Sequence, residues 1–365
     1  MAMNEQALFR RSWGLWWQRL RERTILRRPL AHIYHLIGGH IYFQTLSAAV
    51  QLDLFTLLAR RGPLTREQLA GELKLADQPA RILLLGLVTC GLLRRDGAAY
   101  AATPLADQLF NRDQPRHVAD VVLWQHFINY RAMAHFHEAL LANRNTGLAE
   151  FPGDEPTLYQ RLAHNPALEK IFQDAMENIS RQSNHLLAEA VDFAQFRHLV
   201  DVGGGNATNI MRLAQQHPRL KADVFDFPSV CAIAREKIRA AGLAGRLGAV
   251  DGNCFKDEFP AGVDGILFCH FMTIWSPEQN RALLQKAYRA LTPGGAAIIF
   301  NQMQYDTEDG PLSAAMGSPY FLTLATGVGM LYTWNEYEQW MRAAGFTRVL
   351  RRALVRDHGV LIGIK

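Results

Sequence analysis

The sequence predicts an α/β protein with a Rossmann-like sheet in its C-terminal half, preceded by a helical region in the helix–helix–hairpin order of a winged helix. Three observations carry this. A short apolar strand, His198-Leu199-Val200-Asp201-Val202, runs into Gly203-Gly204-Gly205 and then into a helix start at Asn206-Ala207-Thr208. About twenty residues on, an acidic residue, Asp226, closes a second apolar strand. Upstream, a capping pattern, an apolar helix and two short strands around an Asp-Gly turn follow one another between Thr65 and Thr103.

Length and composition bound the rest. A chain of 365 residues is too long for one ordinary core and suits two domains of roughly 150 residues with a modest extension. The partition read from the sequence is an extension over 1–30, a winged-helix-like domain over 31–110, a helical linker over 111–190 and the Rossmann-like domain over 191–365. Hydrophobic residues make up 49% and charged residues 20% of the chain. No run of about 18 uncharged apolar residues is present to span a bilayer, so integral membrane association is not expected. The N-terminus lacks the apolar run and cleavage site of a secretory signal, and a cytoplasmic location is expected.

Cys90, Cys231, Cys254 and Cys269 are scattered without a C-x-x-C pair, which suggests neither a disulfide framework nor a zinc site, and no metal is expected. The net charge of +5 traces largely to Arg10, Arg11, Arg19, Arg21, Arg23, Arg27 and Arg28, interleaved with Trp13, Trp16 and Trp17. An arm packing on a partner subunit is favoured over a membrane-surface helix, because Arg and Trp are enriched at protein interfaces.

Taken in order, residues from His32 to about Ala59 carry apolar side chains at helical spacing and predict one helix stopping at Arg61-Gly62-Pro63. Thr65-x-x-Gln68 is a capping box opening a short helix to about Leu73. A second helix runs from Gln78 to Cys90, and Gly91 to Thr103 reads as a hairpin. A DNA-reading winged helix needs several basic side chains on its second helix; here Arg81 is the only charge, so the helix is for packing and no nucleic-acid partner is expected. Residues 116–190 are predominantly helical, with His126, Tyr130, His135 and His137 as candidate pocket residues.

The glycines after Val202 let a backbone approach a ligand closely. The third glycine of G-x-G-x-x-G is absent, which makes a dinucleotide the weaker reading, and Asp201 just before the loop suits an amino-acid ammonium. Asp226 sits where an acid accepts hydrogen bonds from ribose hydroxyls. A third strand end, Asp251-Gly252-Asn253-Cys254-Phe255, supplies an amide suited to adenine, and a fourth ends at Cys269-His270 before Leu291-Thr292-Pro293-Gly294-Gly295.

With those pieces in this order, the chain resembles, over about residues 30–365, the small-molecule methyltransferase family typified by plant caffeate O-methyltransferases and bacterial polyketide and carotenoid O-methyltransferases. The resemblance rests on Val200 to Gly205, Phe225-Asp226-Phe227-Pro228, Gly252 to Phe255, Pro293-Gly294-Gly295 and the helix Phe172 to Ser180; the family often has Asp in place of Asn253. It implies a seven-stranded S-adenosylmethionine-binding sheet, an N-terminal domain pairing two copies into a homodimer, and a small-molecule acceptor. Cofactor contacts are implied for Gly203, Gly205, Asp226, Asn253 and Phe255, with Phe227, Gly252, Cys254 and Cys269 on the same strand ends. Met176 and Ser180 are implied near the methyl group and carboxylate.

The pattern breaks at one point. Hydroxyl-methylating relatives carry Leu-His-Asp-Trp, whose histidine removes the acceptor proton; the matching stretch is Met272-Thr273-Ile274-Trp275, with Thr273 in the histidine's place. Asn301 and Leu331 stand where two orienting glutamates are usual. A threonine hydroxyl is far too weak a base near neutrality. Either the acceptor needs little activation (a carboxylate, acidic phenol, amine or nucleophilic carbon), or the cofactor serves a non-methylating reaction such as hydroxylation, decarboxylation or cyclisation. Methyl transfer is favoured, because a complete cofactor site is better explained by turnover. The carbon-methylating bacteriochlorophyllide methyltransferase resembles this chain at Leu267-Phe268-Cys269 and also lacks the histidine. His126, His135, His137 and His270 are candidate substitute bases; His135 and His137 are two apart and on a helix point about 160° apart, whereas His126 and Tyr130 are four apart and share a face. Thr273 and Asn301 are candidates for orienting the acceptor. Tyr305, Met316, Tyr320, Phe321, Thr323, Leu324 and Met330 are candidate pocket-wall residues.

Overall fold

The computed structural model describes residues 27–365, with side chains from His32 onward, so the Arg- and Trp-rich arm up to residue 26 lies outside the described residues. By backbone contacts the chain divides into two units, one ending at Val122 and the other Leu123–Lys365.

In the first unit the helix expected over 32–59 is three helices, Arg27–Ile37, Gly39–Gln51 and Leu54–Arg61. Gly38 ends the first, its N–H donating to Tyr34 O at 2.8 Å. Asp53 ends the second run in the left-handed region, φ 52°, and its carboxylate accepts from Thr56 Oγ1 at 2.6 Å. Apolar spacing passes over such single-residue breaks because Val50, Leu54, Phe55 and Leu58 stay buried on either side of them. The capping box forms: Gln68 N donates to Thr65 Oγ1 at 3.3 Å and Thr65 N to Gln68 Oε1 at 2.8 Å, opening the helix Arg66–Glu72.

The helix Asp77–Thr89 follows, then the hairpin of β2 (Leu93–Asp96) and β3 (Ala99–Ala102) around Gly97 at φ 57°. A two-residue strand, β1 (Leu64–Thr65), pairs antiparallel with β3, Leu64 opposite Tyr100. Two residues hold no period, so the sequence carried no sign of it. Asp77–Thr89 buries Ala80, Leu84 and Leu87 and leaves Ile82 and Leu85 outward; Ile33, Leu36, Ile37 and Ile41 are also exposed.

The second unit begins with short helical pieces, among them a π-helical turn, Gln125–Asn129, whose following N–H, on Tyr130, reaches back to Gln125 O. The long helix Pro166–Ala190 is capped by Asn165 Oδ1. Its sheet runs β6-β5-β4-β7-β8-β10-β9, from β4 (His198–Val202), β5 (Lys221–Asp226), β6 (Leu247–Asp251), β7 (Val263–Cys269), β8 (Leu291–Gln302), β9 (Arg348–Ala353) and β10 (His358–Ile364). All neighbours are parallel except β10, which is antiparallel to β8 and β9.

Both faces are covered, which is why these strands read as near-continuous apolar runs. Val200, Val202, Phe268 and Ile299 pack with Leu283, Leu284 and Tyr337 on one face. Leu199, Val224, Leu267 and Ile298 pack with Leu187, Ile210 and Ala234 on the other. The chain leaves β4 for β5 and β6 on one side and returns to β7 on the other, so the strand order reverses at β4. Crevices at such a reversal, beyond the carboxyl ends of the strands, are where open α/β sheets bind ligands.

Candidate functional site

The glycine turn is held against Asp226 by the backbone. Gly203 N donates to Phe225 O at 2.9 Å and Gly205 N to Asp226 Oδ2 at 3.1 Å, while Phe227 N donates to Asp226 Oδ1 at 2.8 Å. Gly203 (φ 71°) and Gly205 (φ 58°) are left-handed. A side chain on Gly203 would strike the Phe271 ring, whereas the space before Gly205 is open. Burial raises the Asp226 carboxyl above its usual range, opposed by the two N–H bonds. Thr208 stands where the third glycine of that pattern would be, and the residue before it, Ala207, takes φ 69°, left-handed, at the start of the Thr208–Gln216 helix. A non-glycine residue there costs about 1 kcal/mol.

Asp201 lies beneath the loop and is fully buried. Asn209 Nδ2 donates to its Oδ2 at 3.2 Å, but Oδ1 has no hydrogen-bonding partner. Burial pushes this carboxyl up to about 7, partly offset by Asn209 and reinforced by Asp226. A buried oxygen without a partner is a cost that native proteins rarely leave standing, and a cationic ligand group removes it. That orphaned atom, the pinned acid at the end of β5 and the open face of Gly205 are a set of groups that fits S-adenosylmethionine. Cys269 is buried within electrostatic reach of Asp201 and its thiol is held well above the usual range by burial.

Asp251 is the parallel partner of Asp226, and Gly252 N donates to Asp226 O at 2.9 Å. Gly252 is tight against the Phe225 ring, where any Cβ would collide. Asn253 Oδ1 accepts from Phe255 N at 2.9 Å and Asn253 N donates to Asp257 Oδ2 at 2.8 Å, closing a compact loop. Burial pushes the Cys254 thiol to about 12. Phe255 lies edge-on to Trp275 at 4.6 Å, and Trp275 to Phe271 at 5.8 Å. An aromatic line thus joins the third strand end to the turn after the fourth. Phe271 was missed by sequence reading; being adjacent to the candidate His270 was its only signal.

Thr273 sits in the 3₁₀ turn Met272–Ile274 and is buried. Thr326 Oγ1 donates to Ile274 O at 2.6 Å, Tyr332 OH to Trp275 O at 2.6 Å, and a Cβ on Gly329 would meet Thr273 O. Segment 326–332 therefore closes over this turn. Asn301 is fully buried on β8, its Nδ2 donating to Tyr337 OH at 3.3 Å and its Oδ1 without a partner; Tyr337 in turn lies edge-on to Tyr332 at 5.8 Å. Leu331 is buried beside them, its N–H on Ser318 Oγ at 3.2 Å. Thr273, Asn301 and Leu331 are thus all buried, and none of the three carries an ionisable side chain.

The four histidines separate cleanly. His270 turns back, at φ 52°, into a half-buried niche with Phe300 and His358 at 5.0 and 5.3 Å and Ser183 Oγ at 3.2 Å from Nε2; desolvation and His358 press it to about 3, too weak a base to take a proton near neutrality. His135 is held on both nitrogens by Glu138 and Glu150, each at 3.0 Å, and these carboxylates raise it. His137 is exposed. His126 has a buried Nδ1 without a partner and its ring edge-on to Phe127. The face shared by His126 and Tyr130 is changed by the π-helical turn, since four residues are less than one turn there.

Ser183, missed by sequence reading, ties the helix carrying Met176 and Ser180 to the end of β7. Among the pocket-wall candidates, Tyr320, Thr323 and Leu324 are buried while Tyr305, Met316 and Met330 are exposed. Tyr320 stacks edge-on to Trp124 at 5.2 Å. A second π-helical turn, Phe321–Ala325, holds Thr323, whose buried Oγ1 lacks a partner. Among the described residues no group of three or more His, Cys, Asp or Glu is placed to hold a metal ion, and no single helix is long and apolar enough to cross a membrane.

Two family models match the chain. An O-methyltransferase domain matches residues 134–347 and an O-methyltransferase dimerisation domain matches 34–112. The L-tyrosine C(3)-methyltransferase of Streptomyces lavendulae is 38% identical over 334 residues, 90% of this chain and 91% of that one. The 3-hydroxy-5-methyl-1-naphthoate 3-O-methyltransferase of Streptomyces sahachiroi is 31% identical over 325 residues, 88% and 91% of the two chains. Among solved structures, the apo S-adenosylmethionine-dependent methyltransferase SibL is 40% identical with TM-score 0.82, covering 92% of this chain and 99% of that one. Human N-acetylserotonin methyltransferase in complex with SAM, 23% identical, shares the fold at TM-score 0.82 over 92% and 97%. Methyl transfer thus prevails over the non-methylating uses of the cofactor, and the chain belongs to the O-methyltransferase family, as an S-adenosylmethionine-dependent methyltransferase acting on small secondary metabolites.

Proposed function

We propose that this enzyme methylates a ring carbon beside the hydroxyl of a small phenolic acceptor. The reading is supported by the burial of Thr273, Asn301 and Leu331, none of them ionisable, at the positions that the sequence resemblance aligns with a histidine and two glutamates of hydroxyl-methylating relatives. When bound, S-adenosylmethionine supplies an electrophilic methyl on a sulfonium, so the acceptor must present an electron-rich atom in line with it. Without a base at that point an oxygen nucleophile is not activated there. A phenol, once its proton is withdrawn, is nucleophilic at the neighbouring ring carbon; the carbon–methyl bond would form as the methyl–sulfur bond breaks, and the ring hydrogen would then leave as a proton to solvent, restoring aromaticity. The tyrosine carbon methylation in the name of the 38% identical relative supports the same chemistry.

In this reading Asp226 accepts the ribose hydroxyls, the Gly203–Gly205 turn and Asp201 receive the methionine portion, and Gly252, Asn253, Cys254 and Phe255 border the adenine, with Phe227 and Cys269 alongside. Met176 and Ser180 lie near the methyl group and the carboxylate. His126, through its unpartnered Nδ1, takes the phenolic proton away from the transfer point, and Thr273 and Asn301 orient the ring by hydrogen bonds. Residues 31–110 pair two copies into a cytoplasmic homodimer through exposed Ile33, Leu36, Ile37, Ile82 and Leu85; 111–190 frame the acceptor and 191–365 bind the cofactor.

The test uses L-tyrosine deuterated at both carbons beside its hydroxyl. The product is expected to gain a methyl and lose one deuterium. A methylated product that keeps both deuteriums, with the methyl on oxygen or nitrogen, overturns the carbon assignment.

A further inference from the structure

The Pro277–Ala290 helix presents its inner face to the sheet, burying Leu283, Leu284, Ala287 and Ala290. Two polar side chains interrupt that face. Asn280 is fully buried, and its Nδ2 donates to Met272 O at 2.8 Å and Trp275 O at 3.2 Å, the two ends of the turn that carries Thr273. Lys286 is buried too, and its Nζ donates to Cys254 O at 2.8 Å and Asp257 O at 2.7 Å, with the Phe259 ring 5.6 Å away. Asp257 then holds Asn253 N through Oδ2. Burying an amine amid apolar neighbours is costly unless its hydrogen bonds are satisfied, and here two loop carbonyls do so. The partners are irregular segments with no ladder to fix them, so the helix supplies the order the loops lack.

We infer that Asn280 and Lys286 are positioning residues for the two halves of the site: Asn280 sets the transfer turn and Lys286 the nucleoside loop. They stand six residues apart, about 9 Å along the helix axis, and so fix the spacing between adenine and the transfer point. The inference rests on the cofactor placement proposed above.

Its test is a crossed pair of variants in the full-length enzyme, Lys286→Met and Asn280→Leu, both near in volume to the native side chains. Binding of S-adenosylhomocysteine and of its inosine analogue is measured by calorimetry, and turnover at saturating cofactor alongside. Lys286→Met is expected to weaken S-adenosylhomocysteine about tenfold or more and to erase its preference over the inosine analogue, with kcat within about threefold. Asn280→Leu is expected to lower kcat about tenfold or more with the dissociation constant unchanged. If both variants lower thermal stability but alter kcat and binding in the same proportion, or neither, the helix is a structural support and the inference fails. Where Lys286→Met does not fold, Lys286→Gln takes its place under the same criteria. A wild-type protein that does not bind S-adenosylhomocysteine overturns instead the cofactor placement itself.

Discussion

The half of the site at the ends of β4, β5 and β6 and the half around Thr273 are built on opposite principles. In the first, backbone N–H groups of Gly205 and Phe227 hold a single carboxylate, Asp226, and a turn of Asn253 and Asp257 closes on itself within a few residues. Apart from Lys286, which reaches Cys254 O and Asp257 O from the Pro277–Ala290 helix, its bonds are short-range in sequence or run between adjacent strands. In the second, Thr273, Asn301 and Leu331 are gathered from three distant segments, fastened by Thr326, Tyr332, Tyr337 and Asn280, and hold no ionisable group of their own. On the function proposed above, the first half meets the cofactor, a polar ligand that does not vary, and the second, shaped by packing between distant segments, meets the acceptor.

The largest effect that sharpens this contrast is on cofactor affinity. Asp226→Ala removes the carboxylate proposed to meet two ribose hydroxyls; at about 1.5–3 kcal/mol per charged hydrogen bond, S-adenosylhomocysteine binding measured by calorimetry should fall roughly a hundredfold or more. The reciprocal change, Thr273→Ala, should lower kcat only severalfold with that affinity unchanged. Equal damage to binding from both would dissolve the distinction between the halves.

A second difference lies in pH dependence. Asp201, raised to about 7 by burial, favours its protonated form when folded. Its penalty is absent below the ordinary carboxylate range, grows as pH rises, and is complete above about 7. The thermal midpoint of the ligand-free enzyme should therefore decline between about pH 4 and 7 by an amount that Asp201→Asn removes. An identical slope in the variant would mean that Asp201 is not the group responsible.

The smallest expected effect concerns the loop itself. Ala207→Gly relieves a left-handed alanine and should stabilise the fold by about 0.5–1 kcal/mol, seen in chemical denaturation, with little change in turnover.

How far the sequence went follows the same division. The glycine turn, Asp226, the capping box at Thr65 and the hairpin around Gly97 were all legible, because each is a local pattern whose residues lie next to one another in the chain. The breaks at Gly38 and Asp53 were not, since apolar spacing runs across them. His270 looked like a ligand-facing residue from its place after a strand, yet its left-handed backbone turns the ring into a niche with Ser183 and His358. Nothing about residue 270 alone carries that information.

The amino-acid order by itself determined the α/β class, the strand-to-glycine-turn geometry and the acid at the end of the second strand, since turn chemistry and hydrophobic period act over a few residues. Only the tertiary structure decided which of the four candidate histidines keeps a buried, unpartnered nitrogen, that Asp201 is buried enough to hold a proton near neutrality, and that one helix reaches two loops at once. Those depend on burial and on contacts between segments far apart in sequence, and desolvation is a property of the folded surroundings rather than of any residue.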